Sequence, residues 1–310
     1  MKDFGPIVPI VTPCNRKGEI DLPGFRAVCS EMLQAGLRGI FVTGSTGRGP
    51  WFGLSERATL CREAAETIAG SVPLLAGCIA SGLPDMIESA RAMADAGAQI
   101  AVATAPGYFH YSERELETIF LKFADASPLP VILYDIPEFT NLKLATGMVT
   151  RLASHGNILG FKDSSDDFER FGMLIESLKE YTNFYLLQGK EQYLVDSLRL
   201  GCSGFVVSLI HLAPASFVAL YRAVRSGDHG LANSLQAEVN QAYKLVHDAI
   251  QRRPESSTLF HLLNYALRTR GVCANILLSQ DGRPPAWLSE SARQAVEAFQ
   301  TDPHIQSSKI

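Results

Sequence analysis

In Ile158-Leu159-Gly160-Phe161-Lys162-Asp163 an apolar run, Ile158–Phe161, is followed at once by a lysine and an aspartate. Its apolar residues are consecutive rather than alternating, the pattern of a strand covered on both faces in a parallel sheet. Seven more such runs punctuate the chain: Ile7–Val11, Gly39–Val42, Pro73–Ala76, Ile100–Ala103, Val131–Tyr134, Phe184–Leu187 and Phe205–Val207. They recur roughly every 20 to 35 residues, about the length of one strand with its crossover helix. The segments between them carry helix signals. Pro23 after Asp21 and Pro84 after Gly82 fall in first turns. Ser112-Glu113-Arg114-Glu115 is a capping box, and Ala35-Gly36, Ala69-Gly70 and Ala96-Gly97 mark helix ends.

Eight strand-then-helix units predict an α/β fold, a (β/α)8 TIM barrel over residues 1–227. A doubly wound open sheet usually has fewer strands and a dinucleotide loop. Gly44-Ser45-Thr46-Gly47-Arg48-Gly49 is not GxGxxG, and no GxxxxGK occurs. Beyond Asp228 helical periodicity continues without strands, in His229 to Gln251, Glu255 to Arg270 and Ser289 to Phe299. These predict a C-terminal helical appendage over 228–310, ending in a frayed polar tail from Asp302 to Ile310.

With 46% hydrophobic and 19% charged residues, the 310-residue chain can bury a large core. Lys and Arg number 28 against 32 Asp and Glu, so the basic stripe that nucleic acid demands is missing. The uncharged stretch Gly204 to Tyr221 raises a membrane span, but His211, Pro214 and several serines interrupt it. It reads as a strand followed by a helix. Asp3 precedes a short apolar run that Pro13 ends, which is no signal-peptide pattern. The expectation is a cytoplasmic protein with no membrane partner. The six scattered cysteines, with no CxxC pair, read as reduced packed thiols. The seven histidines show no HExxH, so no metal site is expected.

Chemistry on such a barrel belongs at the C-terminal strand ends. The polar residues there are Thr12, Ser45, Thr46, Tyr108, Tyr134, Lys162, Gly189 and Ser208. Lys162 is the informative one. A lysine facing a desolvated barrel mouth loses its proton readily and becomes a nucleophile; the alternative is an ion pair with Asp163. Tyr134, one strand away, would relay protons to a substrate oxygen; the alternative is a strand-end aromatic bonded to backbone. The Gly44–Gly47 turn offers N–H groups and two hydroxyls to a small carboxylate, or is simply a helix entry loop. His110 reads as a surface loop residue, and Tyr108-Phe109-His110-Tyr111 suits a subunit contact as well as a site.

Gly44-Ser45-Thr46-Gly47, Tyr134-x-x-Pro137, Gly160-x-Lys162-Asp163 and the helical tail together resemble the dihydrodipicolinate synthase/N-acetylneuraminate lyase family. The resemblance spans essentially the whole chain. It implies a Schiff-base aldolase acting on pyruvate or related 2-oxo acids, with no cofactor beyond a covalent imine on Lys162. It further implies that Tyr134 shuttles the proton and that Ser45 and Thr46 bind the pyruvoyl carboxylate. Tyr108 would cross a dimer interface, the Val206 backbone would touch the pyruvoyl unit, and Gly189 and Ser208 would hold the remaining chain. The implied partners are a small 2-oxo acid and an aldehyde, and the implied assembly a homotetramer, a dimer of dimers.

The departures bear on substrate. Phe139 stands where the lysine-biosynthetic branch carries an arginine, which disfavours dihydrodipicolinate synthesis. Gln192 stands near a position that is acidic in sialic acid lyases. Gly47-Arg48-Gly49-Pro50 is closer to 2-keto-3-deoxy-sugar-acid aldolases. Gly107 replaces an aromatic found in several members, predicting a roomier pocket there. The expected reaction is reversible cleavage of a 4-hydroxy-2-oxo acid, a 2-keto-3-deoxy sugar acid, to pyruvate and an aldehyde. Alternatives are a keto-deoxy sugar acid dehydratase or decarboxylase, a dihydrodipicolinate synthase-like condensing enzyme, a non-catalytic 2-oxo acid-binding barrel, and a phosphate-gripping barrel isomerase using Gly201-Cys202-Ser203-Gly204.

Overall fold

Eight parallel strands close in sequence order in the computed structural model, which describes residues 3–252, 257–277, 288 and 290–300. They are β1 (Gly5–Pro9), β2 (Gly39–Val42), β3 (Leu74–Gly77), β4 (Ile100–Thr104), β5 (Val131–Asp135), β6 (Ile158–Asp163), β7 (Tyr185–Gln188) and β8 (Gly204–Val206). Between and after them run α1 (Leu22–Gln34), α2 (Leu54–Ile68), α3 (Leu83–Asp95), α4 (Glu113–Ala126), α5 (Pro137–Thr140), α6 (Thr146–Leu152), α7 (Phe168–Ser177), α8 (Leu194–Arg199) and α9 (Pro214–Ser226). Three C-terminal helices follow: α10 (His229–Arg252), α11 (Ser257–Thr269) and α12 (Glu290–Gln300). The fold is the (β/α)8 barrel with C-terminal helices that the apolar runs predict.

The local signals act as their chemistry requires. Asp21 accepts the N–H of Gly24 to cap α1. Ser112 and Glu115 exchange the two bonds of a capping box at α4. Gly36, Gly70 and Gly97 take positive φ after α1, α2 and α3, where a side chain would be strained. Strand bounds move by one or two residues. β3 starts at Leu74 because Pro73 has no N–H to donate, although its carbonyl accepts from Ile40 at 3.1 Å. β6 runs on through Lys162 and Asp163, which are therefore ladder residues rather than loop residues. The fifth strand is followed by two short helices instead of one, because Asn141 takes a left-handed conformation after α5. The frayed tail expected over Asp302 to Ile310 lies outside the described residues, as do the expected starts at Glu255 and Ser289.

Contacts divide the chain into two compact units, Met1–Ile10 with Arg38–Val207 and Val11–Leu37 with Ser208–Ile310. The first contains the closed sheet. Its interior is filled by Phe4, Ile7, Phe41, Val102, Ile132 and Leu187 among others, with Tyr134 and Val206 in the same cluster. The second contains α1, α9 and the C-terminal helices. There Arg270 donates to the carboxylate of Glu31 and to the carbonyls of His211 and Leu212. His211 is fully buried, its Nδ1 bonded to the Ser208 carbonyl and its Nε2 accepting the Val11 N–H. Burial holds that imidazole down at about 4, so it stays neutral. Among the described residues no helix is long and apolar enough to cross a membrane. All six cysteines are buried and unbonded to one another.

Candidate active site

Side chains alternate across a strand, so Tyr134 and Lys162, cross-strand partners in the β5–β6 register, share one face of the wall. Tyr134 belongs to the interior cluster. The Lys162 Nζ lies 3.8 Å from the centroid of the Tyr134 ring and 5.4 Å from that of Phe41. The lysine is only 5% exposed, and nothing nearby compensates fully for the lost hydration. Burial therefore pulls the ammonium down to about 7, against the buried Glu191, which favours the charged form. At neutral pH a large share of Lys162 is free amine.

Burial pushes the Tyr134 phenol up to about 12, opposed by hydrogen bonds with Ser164 and Ser45. The phenol is thus protonated at neutral pH and bonded to two hydroxyls, an arrangement that passes protons without forming a phenolate. Ser164 also donates to the Gly189 carbonyl at 3.4 Å.

The turn after β2 presents Ser45. Thr43 holds φ at 55°, rare for a β-branched residue. Its hydroxyl fixes it, donating to the Gly77 carbonyl at 3.3 Å and accepting the Gly77 N–H at 3.1 Å. The turn then closes through Arg48 N–H to the Ser45 carbonyl and Gly49 N–H to the Gly44 carbonyl, both at 3.0 Å. Ser45 and Thr46 stay half-buried at its tip. A Cβ on Gly49 would sit 1.8 Å from the Thr43 carbonyl oxygen. Gly49→Ala is accordingly expected to cost at least about 2 kcal/mol, read from urea unfolding midpoints.

The remaining expected residues fall as follows. Gly189 donates its N–H to the Asp163 carbonyl at 2.7 Å, and a Cβ there would lie 2.1 Å from the Ser164 hydroxyl. Its donor is engaged within the wall, which leaves its close approach to Ser164 as the reason for glycine. Val206 is buried on β8, opposite Ile7. Tyr108 is 78% exposed, edge-on to the exposed Phe109, and His110 is exposed beside them. Ser208 and Thr12 belong to the second unit, where Ser208 opens a short 3-10 turn. Phe139 is exposed on α5. Gly107, where a roomier pocket is expected, is exposed on the loop after β4. A Cβ at that position would lie 3.2 Å from the Thr140 Cα, so the Thr140 backbone approaches it closely.

Asp163 does not pair with Lys162. It points to the opposite side of the wall, where Arg170 of α7 bonds its Oδ2 at 3.1 Å and Asp135 Oδ2 at 2.7 Å. Burial pushes the Asp135 carboxyl up to about 6, although Arg170 pulls it the other way. Four residues of this region escape sequence reasoning: Asp135, Ser164, Arg170 and Glu191. Only Ser164 and Asp135 carried any signal, by adjoining Lys162-Asp163 and Tyr134. Among the described residues no three His, Cys, Asp or Glu side chains converge as a metal ion would require.

A closed parallel barrel with a desolvated amine and a bonded phenol on adjacent strands, inside the wall, is the arrangement of a class I aldolase or lyase, and the chain is an enzyme of that class. More specifically, it belongs to the dihydrodipicolinate synthetase family, whose description matches residues 3–301. It is 32% identical over 237 residues to a 4-hydroxy-tetrahydrodipicolinate synthase of Xanthomonas axonopodis pv. citri, covering 76% of this chain and 78% of that protein. It is equally 32% identical over 246 residues to the putative 2-dehydro-3-deoxy-D-gluconate aldolase YagE of Escherichia coli, covering 78% and 82%. The crystal structure of YagE in complex with pyruvate superposes with a TM-score of 0.83 at 28% identity, over 96% of this chain and 97% of that one.

Proposed function

We propose that this enzyme is a Schiff-base-forming, metal-independent aldolase that reversibly cleaves a 2-keto-3-deoxy sugar acid to pyruvate and an aldehyde. The observation that carries the reading is the Lys162 amine, buried at 3.8 Å over the Tyr134 ring and held at about 7. The amine adds to the C2 carbonyl, and the carbinolamine loses water to give an iminium. The iminium accepts the electron pair of the C3–C4 bond as the C4 hydroxyl gives up its proton and the aldehyde leaves. Tyr134 takes that proton on its oxygen while passing its own to Ser45 or Ser164, whose hydroxyl hands its proton on to solvent, and solvent returns one when the enamine is protonated. The enamine is then protonated at C3, and water releases pyruvate from Lys162. Ser45 and Thr46 receive the carboxylate, with the Val206 backbone alongside.

Two features favour a sugar acid over the condensation for which the synthase relatives are named. Phe139 supplies no cation for a second carboxylate, and YagE is named for a 3-deoxy sugar acid. The test is pyruvate release from 2-keto-3-deoxygluconate and its pentonate analogue, followed with a coupled reductase. Stoichiometric pyruvate is the expected result. Substrate loss without pyruvate would place the enzyme among dehydratases instead. We also propose a homotetramer, supported by the 78% and 62% exposure of Tyr108 and Phe109; light scattering measures it.

A further inference from the structure

The geometry points to Arg170 as a positioning residue that sets the working separation of the Lys162 amine and the Tyr134 phenol by clamping β5 to β6 from the outer side of the barrel wall. The inference rests on the Schiff-base reading. The start of the β5–β6 ladder does not by itself impose the register that pairs the two reactive groups. Val131 lies opposite Ile158, but Ile132 lies opposite Gly160, so Leu159 is an extra residue on β6. A slip of one residue would turn Lys162 out of the interior.

At the far end the register is held by side chains. Asp135 and Asp163 are directly opposed, each one residue beyond the reactive group on its strand. Two buried carboxylates at such a position repel one another. Arg170 places one arm of its guanidinium on each, and only a planar fork with two separate donors fits that demand. The fork is itself fixed. One arm also donates to the Ser165 hydroxyl at 2.8 Å and the other to the Leu144 carbonyl at 2.7 Å. The Leu144 N–H returns to the Asp135 carboxylate, and the Arg170 backbone N–H is capped by Asp167 at 3.0 Å. Moving either strand end therefore breaks charged bonds on the outside before the pair inside can drift.

The test compares the full-length enzyme with Arg170→Lys, which keeps the charge but not the fork, and Asp163→Asn, which keeps the shape but not the charge. Borohydride trapping of the pyruvate imine on Lys162 is timed at saturating pyruvate. Half-saturating pyruvate concentration and melting temperature are measured alongside. Expected is a loss of about 10²-fold in trapping rate per folded molecule, the cost of misplacement by about 1 Å, with half-saturation moving less than about threefold. A purely structural role would lower the melting temperature and leave the trapping rate of folded protein unchanged, and that result overturns the proposal. If Arg170→Lys does not fold, Asp163→Asn decides alone. Absence of adduct in the unsubstituted enzyme instead overturns the Schiff-base reading itself.

Discussion

Lys162→Met is expected to abolish the borohydride-trapped pyruvate adduct and lower turnover by at least about 10⁴-fold, because among the described residues Lys162 is the one buried lysine. The same substitution makes the protein more stable at neutral pH. The Lys162 ammonium is held at about 7 in the folded chain against an ordinary 10.5, with burial as the main cause. Between those two values the unfolded chain binds the extra proton and the folded chain does not, so stability rises with pH across the window. Below about pH 7 the folded protein carries the full deficit, on the order of 5 kcal/mol. Methionine fills nearly the same volume and has no charge to desolvate. Melting curves should therefore show the variant's advantage largest at pH 6 and shrinking by pH 9. In the unsubstituted enzyme the same titration is expected to govern the chemistry, with imine formation accelerating as pH rises through about 7 and then levelling off. Loss of activity with a gain in stability distinguishes a functional lysine from one retained for an ion pair, which would lose both.

The strands were legible in the sequence because burial on both faces leaves eight unbroken apolar runs, and their helices because capping and glycine stops are local. Lys162 and Tyr134 were legible for a related reason: a polar residue closing an apolar strand has few places to go. The outer cluster was not. Arg170 sits seven residues past Asp163 on a helix whose sequence shows ordinary charges. Its burial arises only when α7 packs over two strand ends that are far apart in sequence. Gly107 poses the opposite problem. A missing side chain reads as space, but here it permits the Thr140 backbone to come close. Thr43 was passed over as well, since nothing local announces that a β-branched residue will adopt a positive φ. The Gly77 backbone, a strand away, is what holds it there.

Tyr134→Phe is expected to slow turnover by about 10²- to 10³-fold, the usual worth of a positioned proton-transfer group, and to do so without moving the pH midpoint of imine formation. The separation follows from what each part of the residue does. The ring face lies 3.8 Å from Lys162 Nζ and keeps water from it, and phenylalanine preserves that face. Desolvation is the dominant cause of the lowered lysine value, so the midpoint stays near 7. Only the hydroxyl is lost, and with it the relay to Ser45 and Ser164. Pyruvate still adds to Lys162, more slowly, so trapping persists while cleavage of the full substrate falls further. Tyr134→Ala removes the ring as well. Water then reaches the amine, the ammonium is solvated, and the midpoint climbs toward the ordinary lysine value. Paired pH–rate profiles of the two variants measure this directly. A phenylalanine variant whose midpoint rises as far as the alanine variant's would mean that the hydroxyl, not the ring, keeps the amine unprotonated, and the relay role assigned to Tyr134 would have to be abandoned.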